Sequence, residues 1–240
     1  EGDSARAIAI YSNDDYGNIT GFEYQQLQNK LPHFDEFGIY DNQNIRLSIE
    51  QSGKNYNASL VRQGFFEFSR TTAIIGRTIQ AQDTAAGASP VALISYEVWQ
   101  QELQGDDKVL DKTMILNGEI TSIIGVMPQG YHFPNSSKVW LPLMDQLLTT
   151  TPDISGSYNA YARLKKGSTV EQAELALGQA VNQIYQQHVT LYDLPELEKS
   201  ARILTFQMAQ TAGEGGIVFG FLNAISWLIL LLACINVGNL

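Results

Sequence analysis

Apolar and polar positions alternate along this chain with two different periods, and the switch between them marks out its elements. Ala5 to Tyr11 (ARAIAIY) has the composition of a short strand. Thr20 then precedes Gly-Phe-Glu, which puts Glu23 at the third helical position, the spacing of a capping box. The helix so started carries Phe22, Leu27 and Leu31 and is predicted to stop at Pro32. Strands are expected at about Phe34 to Tyr40, Ile45 to Glu50 and Tyr56 to Gln63. The same theme returns late in the chain. Tyr158 to Leu164 is a strand candidate, and Ser168 with Glu171 has capping-box spacing. A helix from Thr169 to about Gln187 places Val170, Ala173, Leu177, Ala180, Val181, Ile184 and His188 on one face, and Ala201 to Gln207 is the return strand. Two β-α-β units, one early and one late, predict an α+β fold with helices on one face of a sheet.

Between them, from about Ile79 to Ser155, the pattern is mostly β. Val91 to Ile94 reads as a strand, Ser95 as the start of a helix, and Lys138 to Leu141 as a last strand. Asn117-Gly118 lies between two runs rich in Ile, Leu, Thr and Val, a strong short-range signal for a type I′ hairpin. This region is expected to be an inserted subdomain. The predicted division is 1–78 and 156–212 for the split unit, 79–155 for the insertion, 213–216 for a joint, and 217–240 for a membrane helix.

The last of these rests on charge. No charged residue occurs over the 24 positions 217–240. As a helix they would span roughly 36 Å, more than the ~30 Å hydrocarbon core of a bilayer. Asn223, Ser226, Asn236 and Asn239 are the polar breaks, residue types that mediate helix contacts in membranes. The alternative is a buried core helix, which would normally show a polar face. Both ends look cut from a longer protein.

The chain of 240 residues is 44% hydrophobic, enough to build a core. Its net charge of −10 argues against a nucleic-acid partner, whose binder would carry a basic footprint. The single cysteine, Cys234, excludes an internal disulfide. His33, His132 and His188 are scattered without partners at metal-ligand spacing, so no metal and no cofactor is expected. Asp14-Asp15 and Asp106-Asp107 have the setting of solvated turn residues. Gly213-Glu-Gly-Gly216 lacks the Lys-Ser/Thr of a phosphate loop, which leaves Gly213, Gly215 and Gly216 as candidate hinge residues. Tyr131, His132 and Phe133 lie in a loop bounded by Pro128 and Pro134. They are candidates for partner contact, or for packing beneath the loop. No catalytic residue emerges.

Several ordered pieces resemble one family. They are Gly64-Phe-Phe66 with Ile75-Gly-Arg-Thr78, Val91 to Trp99 (VALISYEVW), Leu116-Asn-Gly-Glu119, Ile124 to Pro134 (IGVMPQGYHFP), Val139 to Leu143 (VWLPL), Ala162 to Ala173 (ARLKKGSTVEQA) and Leu230 to Leu240 (LLLACINVGNL). Together they resemble the extracytoplasmic core domain of MacB-type ABC transporter permeases. Ile235 and Gly238 depart from the small residues usual there. The resemblance implies a discontinuous porter-like half with an inserted β-rich half called Sabre, and a first membrane helix before Glu1. It implies a periplasmic, non-catalytic domain on the bacterial inner membrane, working in a permease homodimer or pseudo-dimer. ATP would be hydrolysed by a cytoplasmic subunit, and a periplasmic adaptor would be a further partner. A membrane-anchored solute-binding or regulatory module is the competing class, and would need a cluster of convergent polar residues.

Overall fold

The computed structural model describes residues 5–12, 15–28, 30–49, 52–148, 151, 156–194, 197–206, 208–209 and 220–230. In chain order the strands are β1 (Ala5–Ser12), β2 (Asp15–Gly17), β3 (Ile19–Thr20), β4 (Phe34–Ile49), β5 (Ser52–Val61), β6 (Ile75–Gly76), β7 (Val91–Ile94), β8 (Thr113–Leu116), β9 (Glu119–Val126), β10 (Val139–Pro142), β11 (Ser157–Leu164) and β12 (Lys199–Leu204). The helices are α1 (Gly21–Leu27), α2 (Phe65–Phe68), α3 (Ala81–Thr84), α4 (Tyr96–Leu103) and α5 (Val170–Val189).

The strands form one sheet whose main path is β12-β1-β11-β4-β5-β10-β7-β9-β6. The first four are antiparallel neighbours, so β1 and β4 run parallel on either side of β11, and β11 and β12 run parallel on either side of β1. The two β-α-β units therefore interleave, as in a ferredoxin-like split β-α-β. Helices α1 and α5 cover this part. Their apolar faces meet β11 and β12 in a core that includes Leu27, Ile39, Ala162, Leu177 and Val181, all at 0% exposure. The remaining strands enclose a second core with Ile45, Tyr56, Ile94, Met114 and Val139.

The capping box at Thr20 is present: the Glu23 N–H donates to Thr20 Oγ1 at 3.1 Å, and the Thr20 N–H donates to Glu23 Oε2 at 2.9 Å. The helix ends at Leu27, earlier than expected, with Gln28 already out of the helical region at ψ 128°. Leu31 is still buried. The two predicted strands Phe34 to Tyr40 and Ile45 to Glu50 are a single strand of 16 residues. The polar run Asp41 to Asn44 looks like a turn in sequence, yet each of its residues pairs with β5, Asp41 opposite Leu60 and Asn44 opposite Asn57. The late capping box is displaced by one residue. Thr169 caps α5 and Gln172 closes the box, both bonds at 3.2 Å. Ser168 instead closes a turn onto the Lys165 carbonyl, behind Gly167 at φ 91°, and its hydroxyl sits 3.2 Å from His33 Nδ1. The return strand β12 starts two residues before the expected Ala201 and ends at Leu204.

The Asn-Gly hairpin forms as predicted, with φ 49° at Asn117 and 89° at Gly118. Ser95 caps α4 by accepting from the Val98 N–H at 3.2 Å. Of the predicted membrane helix, residues 220–230 are described and are helical, with Phe221, Trp227 and Leu228 exposed. Among the described residues no helix is long and apolar enough to cross a membrane.

Candidate functional site

Gly64 takes the left-handed conformation, φ 94°, and turns the chain from β5 into the single helical turn of α2. That turn buries three phenylalanines, Phe65, Phe66 and Phe68, at 0%, 1% and 2% exposure. They belong to a third core that draws on strands along the length of the sheet: Tyr40 and Tyr161 from β4 and β11, Trp140 and Leu93 from β10 and β7. Phe65 stacks on Phe133 at 5.3 Å and meets Tyr161 edge-on at 5.4 Å. Phe66 contacts Tyr131 at 6.3 Å and Trp140 at 6.4 Å. Phe68 lies 4.4 Å from Tyr161, centre to centre, and Phe206 meets Phe133 edge-on at 5.0 Å. Aromatic contacts at these separations are directional as well as apolar, so the cluster fixes angles as well as filling volume.

The structure separates the three candidate loop residues. Tyr131 and Phe133 turn inward. The Tyr131 ring is 5.3 Å from that of Trp140, and its hydroxyl is 2.8 Å from Ser69 Oγ. Burial pushes its phenol up to about 12. The Trp140 indole donates to the Phe133 carbonyl at 2.8 Å, which ties the loop to β10. His132 faces outward: its Nε2 lies 3.1 Å from Lys138 Nζ and 3.8 Å from Glu97 Oε1. Glu97 also pairs with Lys138 at 3.3 Å and accepts from the Gly130 N–H at 3.3 Å. Burial pushes its carboxyl up, but the hydrogen bonds it accepts outweigh that and hold it below the usual carboxylate range. Tyr131 and Phe133 thus pack beneath the loop while staying partly exposed, and His132 sits beside the Glu97–Lys138 ion pair. The hinge candidates Gly213, Gly215 and Gly216 lie outside the described residues.

His188 and Asp106 hold structure, and Asp14 lies outside the described residues. His188 stands edge-on to Phe22 at 4.8 Å, and its Nδ1 bonds the Ile184 carbonyl at 2.7 Å. Asp106 pairs with Lys112 at 2.6 Å and accepts from the Lys108 N–H at 2.8 Å. No group of three metal-ligating side chains occurs among the described residues. What the sequence reading missed is the far side of β11. There Arg163 donates from Nε to Glu36 at 2.9 Å and from a terminal nitrogen to the Phe68 carbonyl at 2.6 Å, pinning the end of α2 to β11. The available signal was Gly38 within a strand pattern, a mark of close approach. It faces Tyr161, whose ring lies where a side chain on Gly38 would be.

The interleaved sheet, the β-rich extension and the aromatic seam between them define a mixed α/β domain. Residues 2–180 match the family model described as "MacB-like periplasmic core domain", and the chain belongs to that family. It is a periplasmic domain of a MacB-like ABC transporter permease. Among solved structures it resembles the extracellular domain of YknZ, a noncanonic ABC-type transporter from Gram-positive bacteria. That match has a TM-score of 0.62 at 13% identity and covers 84% of this chain and 100% of that one. It also resembles the periplasmic region of MacB from Actinobacillus actinomycetemcomitans, with a TM-score of 0.60 at 14% identity, covering 89% of this chain and 94% of that one. No curated protein sequence matches the chain significantly.

Proposed function

We propose that this domain transmits ATP-driven movement across the inner membrane to the extrusion of a periplasmic substrate, and that it does so as a stiff lever without chemistry of its own. The observation that carries this reading is the continuity of β4. Its first half pairs with β11, its second with β5 and, at Leu47 and Ser48, with β8 of the insertion, and the aromatic seam draws on residues of both parts. A strand shared between two sheet regions and backed by packed rings resists bending, because close-packed interiors have low compressibility. In this reading the split unit (1–78 and 156–212) and the β-rich insertion (79–155) move as one body. The partners are a second permease copy, a cytoplasmic ATPase subunit and a periplasmic adaptor. The Gly213 to Gly216 stretch is the hinge that joins the body to the membrane helix.

The test is mechanical. A long Gly/Ser spacer inserted after Gly216 of the full-length permease is expected to leave folding and membrane insertion intact and to abolish the transport-linked phenotype, since slack linkers do not bear load. Full activity with the spacer present would replace the lever by a passive, tethered binding module.

A further inference from the structure

Along residues 34–39 the outer side of β4 carries no strand among the described residues. Strand β11 pairs it on one side, and β5 joins the other side only from Tyr40, opposite Val61. This bare edge borders a groove of about 440 Å³, walled by α1 with the turn after it and by the residues that open α2. The charged side chains lining it are Asp35, Glu36 and Glu67, and no cation is among the lining residues. Glu36 is held from behind by Arg163. Asp35 and Glu67 form no ion pair among the described residues.

A second observation is independent of these carboxylates. Tyr161, 4% exposed, lines the same groove, and its hydroxyl reaches over Gly38, which lines it too. That hydroxyl has no hydrogen-bond partner among the described residues. Burial pushes the phenol far up, with Tyr24, Glu36 and Glu67 adding to the effect and Arg62 opposing it, so the hydroxyl stays protonated near those carboxylates. A buried hydroxyl left unpaired is costly and uncommon. A group that donates several N–H bonds at once would satisfy it, because the phenol oxygen accepts and all three carboxylates accept. Guanidinium and ammonium groups are donors without acceptors and carry the complementary charge. Tyr24 and Phe37, whose rings are 5.7 Å apart, also line the groove and add apolar surface for an aliphatic stem.

We infer that this groove receives an arginine or lysine side chain of an extended basic polypeptide segment laid along the bare edge of β4. The edge supplies main-chain partners of the kind used in strand addition. The register shift opposite Asp35 confines that pairing to residues 36–39. The inference rests on the groove alone and stands apart from the lever reading.

The experiment titrates the full chain in detergent with three probes: an extended peptide alternating valine and arginine, the same peptide with citrulline in place of arginine, and agmatine. Calorimetry gives affinity, and the carbon resonance next to the Tyr161 hydroxyl reports the site. The arginine peptide is expected to bind, shift that resonance and weaken with salt. The neutral citrulline peptide is expected to bind about tenfold or more weakly, the scale of a charged hydrogen bond. Tyr161→Phe and Glu67→Gln are each expected to lower affinity about three- to tenfold. Tyr161→Phe should do so while unfolding at no lower temperature, since it removes an unpaired buried hydroxyl. Equal binding of the two peptides, undiminished binding by both variants, or no binding at millimolar peptide overturns the inference. Agmatine binding as tightly as the arginine peptide overturns the polypeptide occupant in favour of a free cation.

Discussion

The helix-covered unit and the β-rich region of this molecule reach the same burial by opposite routes. The first assembles four strands from residues 5–12, 34–40, 157–164 and 199–204, none of which pairs with another of the four across a tight turn. Its core depends on α5, whose Leu177 and Val181 are at 0% exposure. The second contains the longer short-range pairings, β4 with β5 and β8 with β9 through Asn117-Gly118, against the three-residue β2 that folds back on β1 in the first. One region is specified by contacts distant in sequence, the other largely by turns. Loop-closure entropy makes the first arrangement the harder to form. The aromatic seam is where the two are tied, and Phe65 sits at its centre.

Phe65→Ala should produce the largest effect. It removes a ring at 0% exposure that touches Tyr40, Tyr161 and Phe133, and a loss of about 3–5 kcal/mol is expected for such a cavity. Thermal unfolding followed by far- and near-ultraviolet dichroism would show it. A single cooperative transition at lower temperature supports a common body, whereas a loss under about 1 kcal/mol, the scale of surface changes, would mean that the seam holds nothing together.

Asp83→Asn probes the β-rich side through charge. Arg77 grips both oxygens of Asp83, at 2.6 and 2.9 Å, while Asp83 is 6% exposed. Burial pushes the carboxyl up, but the Arg77 guanidinium and the Gln80 N–H outweigh it and leave the carboxyl below its usual value. A depressed folded value means that the stabilisation is complete above about pH 4, the unfolded value, and is lost as pH falls through the folded one. The variant should cost about 1.5–3 kcal/mol at neutral pH and flatten the acid limb of a urea-midpoint-against-pH curve. An unchanged acid limb would remove Asp83 from the acid response.

Gly118→Val tests the turn. With φ at 89° and nothing within 4 Å of an added Cβ, the penalty is one of backbone conformation alone, about 1–3 kcal/mol. Gly118→Asn, a residue that tolerates this conformation, should recover most of it in the same denaturation series. Equal losses for the two would point to a steric cause that the hairpin does not show.

The smallest difference is the sharpest. Thr169→Ala should cost about 1 kcal/mol by removing the cap of α5, and Ser168→Ala about 0.5 kcal/mol or less. The reverse order would return the cap to Ser168.

The sequence alone determined whatever depends on neighbours. The Thr20 capping box, the Asn117-Gly118 turn, the Ser95 cap and the apolar face of α5 were legible because each is a short-range match of residue type to backbone geometry. The cap of α5 was misread by one position, since Ser168 and Thr169 have equal chemistry and only Gly167 and His33 assign Ser168 to the turn. Where a decision depended on what lay across the sheet, the sequence was mute. Asp41 to Asn44 looked like a turn and became the middle of a strand, because β5 supplies every partner. That Tyr131 and Phe133 pack against the rings of α2 was decided by where α2 comes to lie. Gly38 in a strand meant only that something came close. That the something is the hydroxyl of Tyr161, buried at the rim of an acidic groove, was decided by the pairing of residues 123 positions apart in sequence. Turns and caps are set by energies local to a few residues, while burial and pairing are set by whichever distant surface arrives.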